Sequence, residues 1–167
     1  MNRILFDTSV YGRLIHESAI LQKIREEYKQ EFIIYGCSTI RKELKKTPKK
    51  IVLGNKKVQI LLLEIYDSFI IKENHDLKYN KLVRDLTEDY LKEYKKNKGS
   101  LSEVSIKNDF TIIATATIYQ LDIVVSGDKK SMLSEEATRS YEKVNAVYGL
   151  KNPKWKEYEN FKKELWS

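Results

Sequence analysis

The sequence predicts an α/β fold, a three-layer α/β/α sandwich around a mainly parallel central sheet. Short apolar runs alternate with segments of helical spacing along the chain, as in folds whose parallel strands are joined by helices. Residues 123–125 are apolar throughout, which is typical of a strand buried on both faces. The 167 residues include two prolines and six glycines and no Pro/Gly/Ser-rich linker, so we expect a single domain over residues 1–167.

The first elements follow from apolar runs and the polar residues that end them. Residues 3–6 predict a strand, and helical spacing then continues as far as Ile24. Residues 32–35 predict a second strand, which Gly36 stops, and a helix extends from there towards Pro48.

The later elements are predicted in the same way. Helices are expected at 56–67, 76–97, 109–120 and 135–147, with strands at 69–71 and 123–125. A terminal amphipathic helix follows the chain break at Pro153.

Four acidic residues are predicted to lie at one edge of this sheet. Asp7 follows the first strand, Asp128 follows the last, Asp109 begins an Ala/Thr-rich helix, and Glu43 flanks the buried stripe of its helix. In such folds ligands bind outside the carboxyl ends of the strands. Each acid also has a structural interpretation, as a helix cap, a turn former or the partner of a nearby lysine.

Four unpaired carboxylates at one edge would repel one another, and a divalent cation would offset that repulsion. Hard oxygen ligands without His or Cys favour Mg²⁺, Mn²⁺ or Ca²⁺ over Zn²⁺. We therefore predict a Mg²⁺ or Mn²⁺ site, since such an ion can activate water and stabilise charge on a phosphodiester.

The net charge of +7 and sequence pI near 9.2 are compatible with a polyanionic partner, although lysine-rich surfaces also serve solubility. Basic residues flank the acids in sequence, and those expected to contact phosphates are Arg13, Arg41, Lys45, Lys129 and Lys130. For each of them, a solvated surface position is the simpler alternative.

The cysteine content and the hydropathy of the sequence predict the cellular compartment of the protein. The single Cys37 cannot form an internal disulfide, which fits a reducing cytoplasm. The N-terminus has no signal-peptide pattern, and charges interrupt the longest apolar stretch, residues 58–71. We therefore expect a cytoplasmic protein without a membrane span.

Four motifs, in order, resemble those of the PIN domain family. They are a strand ending in aspartate, a helix with Glu followed by Leu, an Asp-led Ile/Ala/Thr helix, and a strand closing in Ser-Gly-Asp, at residues 4–11, 38–44, 108–116 and 123–128. The resemblance covers about a third of the chain directly and spans residues 4 to 128 in order.

This resemblance implies metal-dependent cleavage of single-stranded RNA, with the metal carried by Asp7, Glu43, Asp109 and Asp128. Ser9 and Ser126 would be supporting hydroxyls. Many family members are toxins of toxin–antitoxin pairs, similar to virulence-associated protein C, which usually form homodimers and are silenced by an antitoxin.

The chain departs from the family pattern in two places. Residues about 45–107 are longer and more charged than in the smallest relatives, which predicts an enlarged helical insert within the domain. Lys129 and Lys130 follow Asp128 where many relatives carry a further acid or Asn, so a fifth ligand is not expected.

Two alternatives use the same fold class. A non-catalytic PIN-like module would bind RNA or protein, and its acids would be structural. A phosphoacceptor receiver domain would need paired acids after its first strand, where only Asp7 is present.

Overall fold

The computed structural model describes residues 1–28 and 30–167, and its centre is a five-stranded parallel sheet. The strands are β1 (Asn2–Phe6), β2 (Phe32–Cys37), β5 (Asp76–Leu77), β6 (Ile123–Ser126) and β7 (Lys154–Glu157). Their order across the sheet is β5-β2-β1-β6-β7, and each neighbouring pair is parallel. A separate antiparallel hairpin joins β3 (Val52–Leu53) and β4 (Lys56–Lys57). The α/β fold class predicted from the sequence is confirmed.

Helices connect the strands and cover the sheet. They are α1 (Thr8–Leu14), α2 (Ser18–Glu27), α3 (Ser38–Lys45), α4 (Val58–Phe69), α5 (Lys81–Lys96), α6 (Glu103–Ile118), α7 (Glu135–Tyr148) and α8 (Tyr158–Glu164), with a 3₁₀ turn at Glu73–His75. Among the residues that the structure describes, no helix is both long and apolar enough to cross a membrane.

Two aromatic clusters show how the helical layers pack. The Phe6 ring of β1 contacts Tyr11 of α1, Phe69 of α4 and Phe161 of α8 with nearly perpendicular ring planes. A second cluster centres on Phe110 of α6, which packs edge-on against rings of α5 and α7. Edge-to-face packing of fully buried rings stabilises each layer beyond simple area burial.

Four sequence predictions were wrong. Residues 69–71 are not a strand, because Phe69 ends α4. The helix predicted over 76–97 begins only at Lys81, and residues 76–77 form β5, which pairs with the end of β2 and is too short to show a period. Strand β7 was missed because it has no apolar alternation, being an edge strand with one lysine exposed and the other residues half-buried. Helix α6 begins at Glu103 after the Ser102 cap, so Asp109 lies in its second turn and does not start it.

The region predicted as an enlarged helical insert, residues about 45–107, contains the hairpin, α4, the 3₁₀ turn, β5 and α5. Strand β5 pairs with β2, and α5 packs against both α6 and α7. These contacts attach the region to the sheet and to the helical layer beside it.

Candidate active site

Asp7 is held at the carboxyl end of the central strand β1. Its backbone N–H donates to Val125 O (2.9 Å), which places it beside the end of β6. Asp7 is the N-cap residue of α1, yet its carboxylate makes no capping hydrogen bond. Instead, Asp7 Oδ2 accepts from Ser9 Oγ (2.8 Å) and from Ser126 Oγ (2.7 Å). The Asp7 carboxylate therefore does not cap α1 and instead faces the edge of the sheet.

The environment of Asp7 disfavours the ionised form of its carboxyl group. Its side chain is buried, and burial raises its pKa, which the charge of Glu43 raises further. The hydroxyl groups of Ser126 and Ser9 oppose this shift by donating to the ionised form. Both hydroxyls that the family resemblance implied as supporting groups thus contact the same carboxylate.

Asp128 lies in the turn that follows β6. Its Oδ1 accepts from the backbone N–H groups of Lys130 and Ser131, both at 3.0 Å. Partial burial disfavours the charge, but the hydrogen bonds from Ser131 and Lys130 outweigh it and lower the pKa of Asp128. Asp128 is therefore a turn former and also an ionised carboxylate at the sheet edge.

Ser131 links Asp128 to Asp109. Its Oγ lies 2.6 Å from Asp109 Oδ2 and 2.5 Å from Asp128 Oδ2, so these carboxylate oxygens are at most about 5 Å apart. A hydroxyl has one proton to donate, so it cannot satisfy both anions at once. Burial raises the pKa of Asp109 to about 7, and the charges of Asp7, Asp128 and Glu43 contribute to the rise.

Glu43 approaches the same place from α3. Thr8, the first residue of α1, donates its hydroxyl to Glu43 Oε2. Glu43 is half-buried, one residue before the buried Leu44, as expected from its position beside the apolar stripe. No ion pair joins it to a lysine of its own helix among the described residues, so the structure does not bear out that simpler role.

The structure thus brings the four acids within electrostatic reach of one another, from four separate segments. Their oxygens are separated by hydroxyl groups, and within residues 1–28 and 30–167 no three His, Cys, Asp or Glu side chains form a ready-made cage for an ion. The available donors are carboxylate and hydroxyl oxygens, the chemistry that suits Mg²⁺ or Mn²⁺.

Three of the five basic residues predicted to bind substrate are already paired within the chain. Arg13 contacts Glu159 (2.9 Å) and lies over the Tyr158 ring. Arg41 pairs with Asp67 and lies over the Tyr66 ring. Lys129 pairs with Glu157 at 2.8 Å. Exposed pairs of this kind are weak and can exchange for a phosphate, so substrate binding by these residues stays a prediction.

Arg13 also supports the turn that carries Asp128. Its Nη2 donates to Gly127 O (3.4 Å), and a Cβ added to Gly127 would lie 2.7 Å from Arg13 Nε. Gly127 in turn donates its N–H to Ser9 Oγ (2.9 Å). The absence of a side chain at this position therefore lets the arginine pack directly against the turn.

A groove opens beside Glu43, with a volume of about 430 Å³. Its lining comes from α3, from the loop before α5 and from α6, and consists of Ser38, Thr39, Lys42, Glu43, Lys45, Lys46, Tyr79, Lys107, Asn108 and Thr111. Lys45 is the one residue of the predicted basic set in this lining. A cavity of about 500 Å³ at the opposite edge of the sheet contains none of the four acids.

Sequence reasoning missed four residues of this region. Thr8 and Ser131 are not among the residues that the sequence assigns to the site. Tyr79 and Lys107 were not singled out, although Lys107 stands two residues before Asp109. The spacing of Ser131, three residues after Asp128, is a turn signal that could have identified it.

Comparison with known proteins finds solved structures with a similar fold. No protein-family model matches the chain, and a search of curated proteins finds no significant match. Among solved structures, VapBC2 from Rickettsia felis bound to a DNA fragment from its promoter is similar, with a TM-score of 0.57, 12% identity, and coverage of 93% of this chain and 98% of the other.

Two further structures are similar at low identity. VapBC-1 from nontypeable Haemophilus influenzae has a TM-score of 0.54 and 11% identity, covering 94% of this chain and 98% of the other. FitAcB from Neisseria gonorrhoeae has a TM-score of 0.51 and 20% identity, covering 81% and 93%. The chain has the PIN-like α/β/α fold of these proteins, as the four ordered motifs predicted.

Proposed function

We propose that this chain is a metal-dependent endoribonuclease that hydrolyses phosphodiester bonds of single-stranded RNA. Asp7, Glu43, Asp109 and Asp128 would hold Mg²⁺ or Mn²⁺. The observation that carries the proposal is the convergence of these four carboxylates at the carboxyl end of a parallel sheet, where the pKa of Asp109 is raised to about 7. Burial is the main cause of this shift and the charges of the other three acids add to it, and carboxyl groups shifted in this way cluster at functional sites.

The donor set supports a hard divalent cation. A cation bound among these oxygens would neutralise the repulsion and replace the proton that Asp109 otherwise retains near neutral pH. It would supply positive charge at the phosphate and a nucleophile active at neutral pH. Ser9 and Ser126 orient Asp7, and Ser131 orients the other two aspartates.

The substitution Asp7→Asn tests the proposal. It keeps the size of the side chain and an acceptor for Ser9 and Ser126, but removes a charged ligand. We expect Mn²⁺-dependent cleavage of a single-stranded RNA to fall by about 100-fold or more, since several kcal/mol of charge stabilisation depend on the metal. Asp85→Asn, on the exposed face of α5, is the matched control. Full activity of the Asp7 variant would remove the mechanism.

A non-catalytic binding module is the second candidate. The observation in its favour is that Asp7, Glu43, Asp109 and Asp128 each have a hydroxyl partner, as structural carboxylates would. Thermal unfolding with and without Mn²⁺ separates the candidates. A metal-dependent rise in Tm that Asp7→Asn reduces supports the nuclease, and no rise supports the binding module.

We further propose that the chain is a cytoplasmic toxin with a cognate antitoxin and forms a homodimer. The support is the fold shared with VapBC2, VapBC-1 and FitAcB along most of the chain. Co-expression with the product of an adjacent short reading frame should yield a stable complex in which RNA cleavage is suppressed. Light scattering of the purified chain gives its oligomeric state, and a monomer would contradict the homodimer.

A further inference from the structure

Tyr79 is an exposed aromatic residue on a fixed loop. The loop, residues 78–80, connects β5 to α5, and the Tyr79 side chain is 49% exposed. Tyr119 Oη donates to Lys78 O (2.9 Å), and Asn80 Nδ2 donates to Tyr119 Oη (3.4 Å). Asn80 also accepts from the N–H of Val83 and so caps α5 (3.0 Å). The residues on both sides of Tyr79 are therefore anchored.

The Tyr79 ring itself has no such attachment. Within residues 1–28 and 30–167, its hydroxyl makes no hydrogen bond, and its ring is not stacked on another ring or cation. The anchored backbone on both sides of Tyr79 lowers the entropy that would be lost when a ligand binds at its ring.

The groove that Tyr79 lines has a marked charge pattern. Lys42, Lys45 and Lys46 of α3 form one side, and Lys107 of α6 lies on the other. None of these lysines forms an ion pair with any residue in the described part of the chain. The groove therefore offers positive charge that the protein does not compensate, together with an aromatic face.

The groove adjoins the acidic cluster. Glu43 belongs to both, since it lines the groove and its charge acts on Asp7 and Asp109. An extended ligand that placed one phosphate at the acids would thus reach the lysines and the Tyr79 ring with the next part of its chain.

We infer that this groove binds the unpaired nucleotide next to the cleaved bond, with its base stacked on Tyr79 and its phosphate contacted by Lys107 and the α3 lysines. The inference rests on the proposed ribonuclease function and gives it a structural basis for preferring single strands. A base in a duplex has both faces covered by its neighbours and cannot stack on the ring. Stacking of this kind tolerates different bases, because every base has an aromatic face.

Binding in the absence of cleavage tests the inference apart from the nuclease proposal. The probe is a fluorescent single-stranded RNA 8-mer of uridines or adenosines, measured by anisotropy in EDTA with the full chain. Tyr79→Ala should weaken binding about 5-fold to 150-fold, the range that loss of one base–aromatic stack produces. Tyr79→Phe should bind like the unsubstituted chain, because the hydroxyl has no partner to lose. Tyr148→Ala, which removes an exposed tyrosine of α7, is the control.

The contribution of Lys107 is measured separately, through the salt dependence of RNA binding. Lys107→Gln should reduce the salt dependence of binding, lowering the slope of log K against log salt by about 0.7 for one lost phosphate contact on a single strand. Lys163→Gln on α8, an exposed lysine outside the groove, should leave the slope unchanged.

A second measurement needs no variant. A uridine 8-mer with one 2-aminopurine should lose fluorescence on binding, because stacking on tyrosine quenches the base, and the same 8-mer paired with its complement should bind less tightly. If Tyr79→Ala and the unsubstituted chain bind RNA equally well, or if no quenching is seen, the inference is wrong. The groove would then be assigned to a protein partner. If RNA binds through Tyr79 but Mn²⁺ supports no cleavage, the groove assignment stands and the nuclease proposal fails.

Discussion

Replacing Asp109 with Asn should stabilise the metal-free protein at neutral and alkaline pH while abolishing its activity. In the fold the pKa of Asp109 is raised from 3.8 to about 7, first by burial and then by the charges of Asp7, Asp128 and Glu43. In the unfolded chain the carboxyl ionises at its ordinary pKa. The folded state therefore pays an increasing cost as pH rises from about 4 to about 7, and the cost is constant above that range.

The structure sets the size of this effect. One pKa unit corresponds to about 1.4 kcal/mol, so a shift of roughly three units gives at most about 4 kcal/mol at pH 8. Asn removes that cost because it is neutral, and it keeps an acceptor oxygen for the Ser131 hydroxyl. The free energy of unfolding of Asp109→Asn should exceed that of the unsubstituted chain by a few kcal/mol at pH 8 and by much less at pH 4.5.

Urea unfolding in EDTA at several pH values measures the difference directly. Asp7 titrates in both proteins, so its contribution largely cancels between them. The reasoning is refuted if Asp109→Asn is less stable than the unsubstituted chain at pH 8, or if the difference does not change between pH 4.5 and pH 7. Gain of stability with loss of function is the expected signature of a site kept for chemistry.

Three further predictions follow from the same contacts. Mn²⁺ should raise Tm more at pH 8 than at pH 5.5, because at lower pH the cation competes with the proton on Asp109; a shift independent of pH in calorimetry would contradict this. Ser131→Ala should cost about 1 kcal/mol in urea unfolding and reduce cleavage, since the hydroxyl that lies between Asp109 and Asp128 is lost, and unchanged stability and activity would count against it. Phe110→Ala should cost about 3–5 kcal/mol, whereas Val104→Ala, at a 93% exposed position, should cost little.

The central part of the fold could be predicted from sequence because its strands are buried on both faces. β1 and β6 are adjacent in the sheet and fully apolar at their paired ends, so their runs stand out. β5 and β7 lie at the two edges of the sheet. β5 has only two residues, and three of the four residues of β7 are charged. Edge strands need less apolar surface, and their sequences carry correspondingly less signal.

The acids of the site could be predicted because they follow strands or accompany buried helix stripes. Their partners could not, since Thr8 contacts Glu43, 35 positions away, and Ser131 contacts Asp109, 22 positions away. The groove was missed for the same reason, because Tyr79 and Lys107 meet α3 only in the folded chain. The pairing of Arg13, Arg41 and Lys129 with acids also depends on tertiary contacts that charge counts do not contain.

Strand order has a consequence for synthesis of the protein. Asp7 is made first. Ser126, the last residue of the neighbouring strand β6, follows 119 positions later and donates a hydrogen bond to Asp7, and the turn with Asp128 comes after that strand. A ribosome-bound chain that has not yet released β6 holds only part of the acidic set, next to an unfilled position in its sheet. Under the proposed ribonuclease function, the site would assemble only after β6 has left the ribosome, which would spare the messenger from cleavage until then.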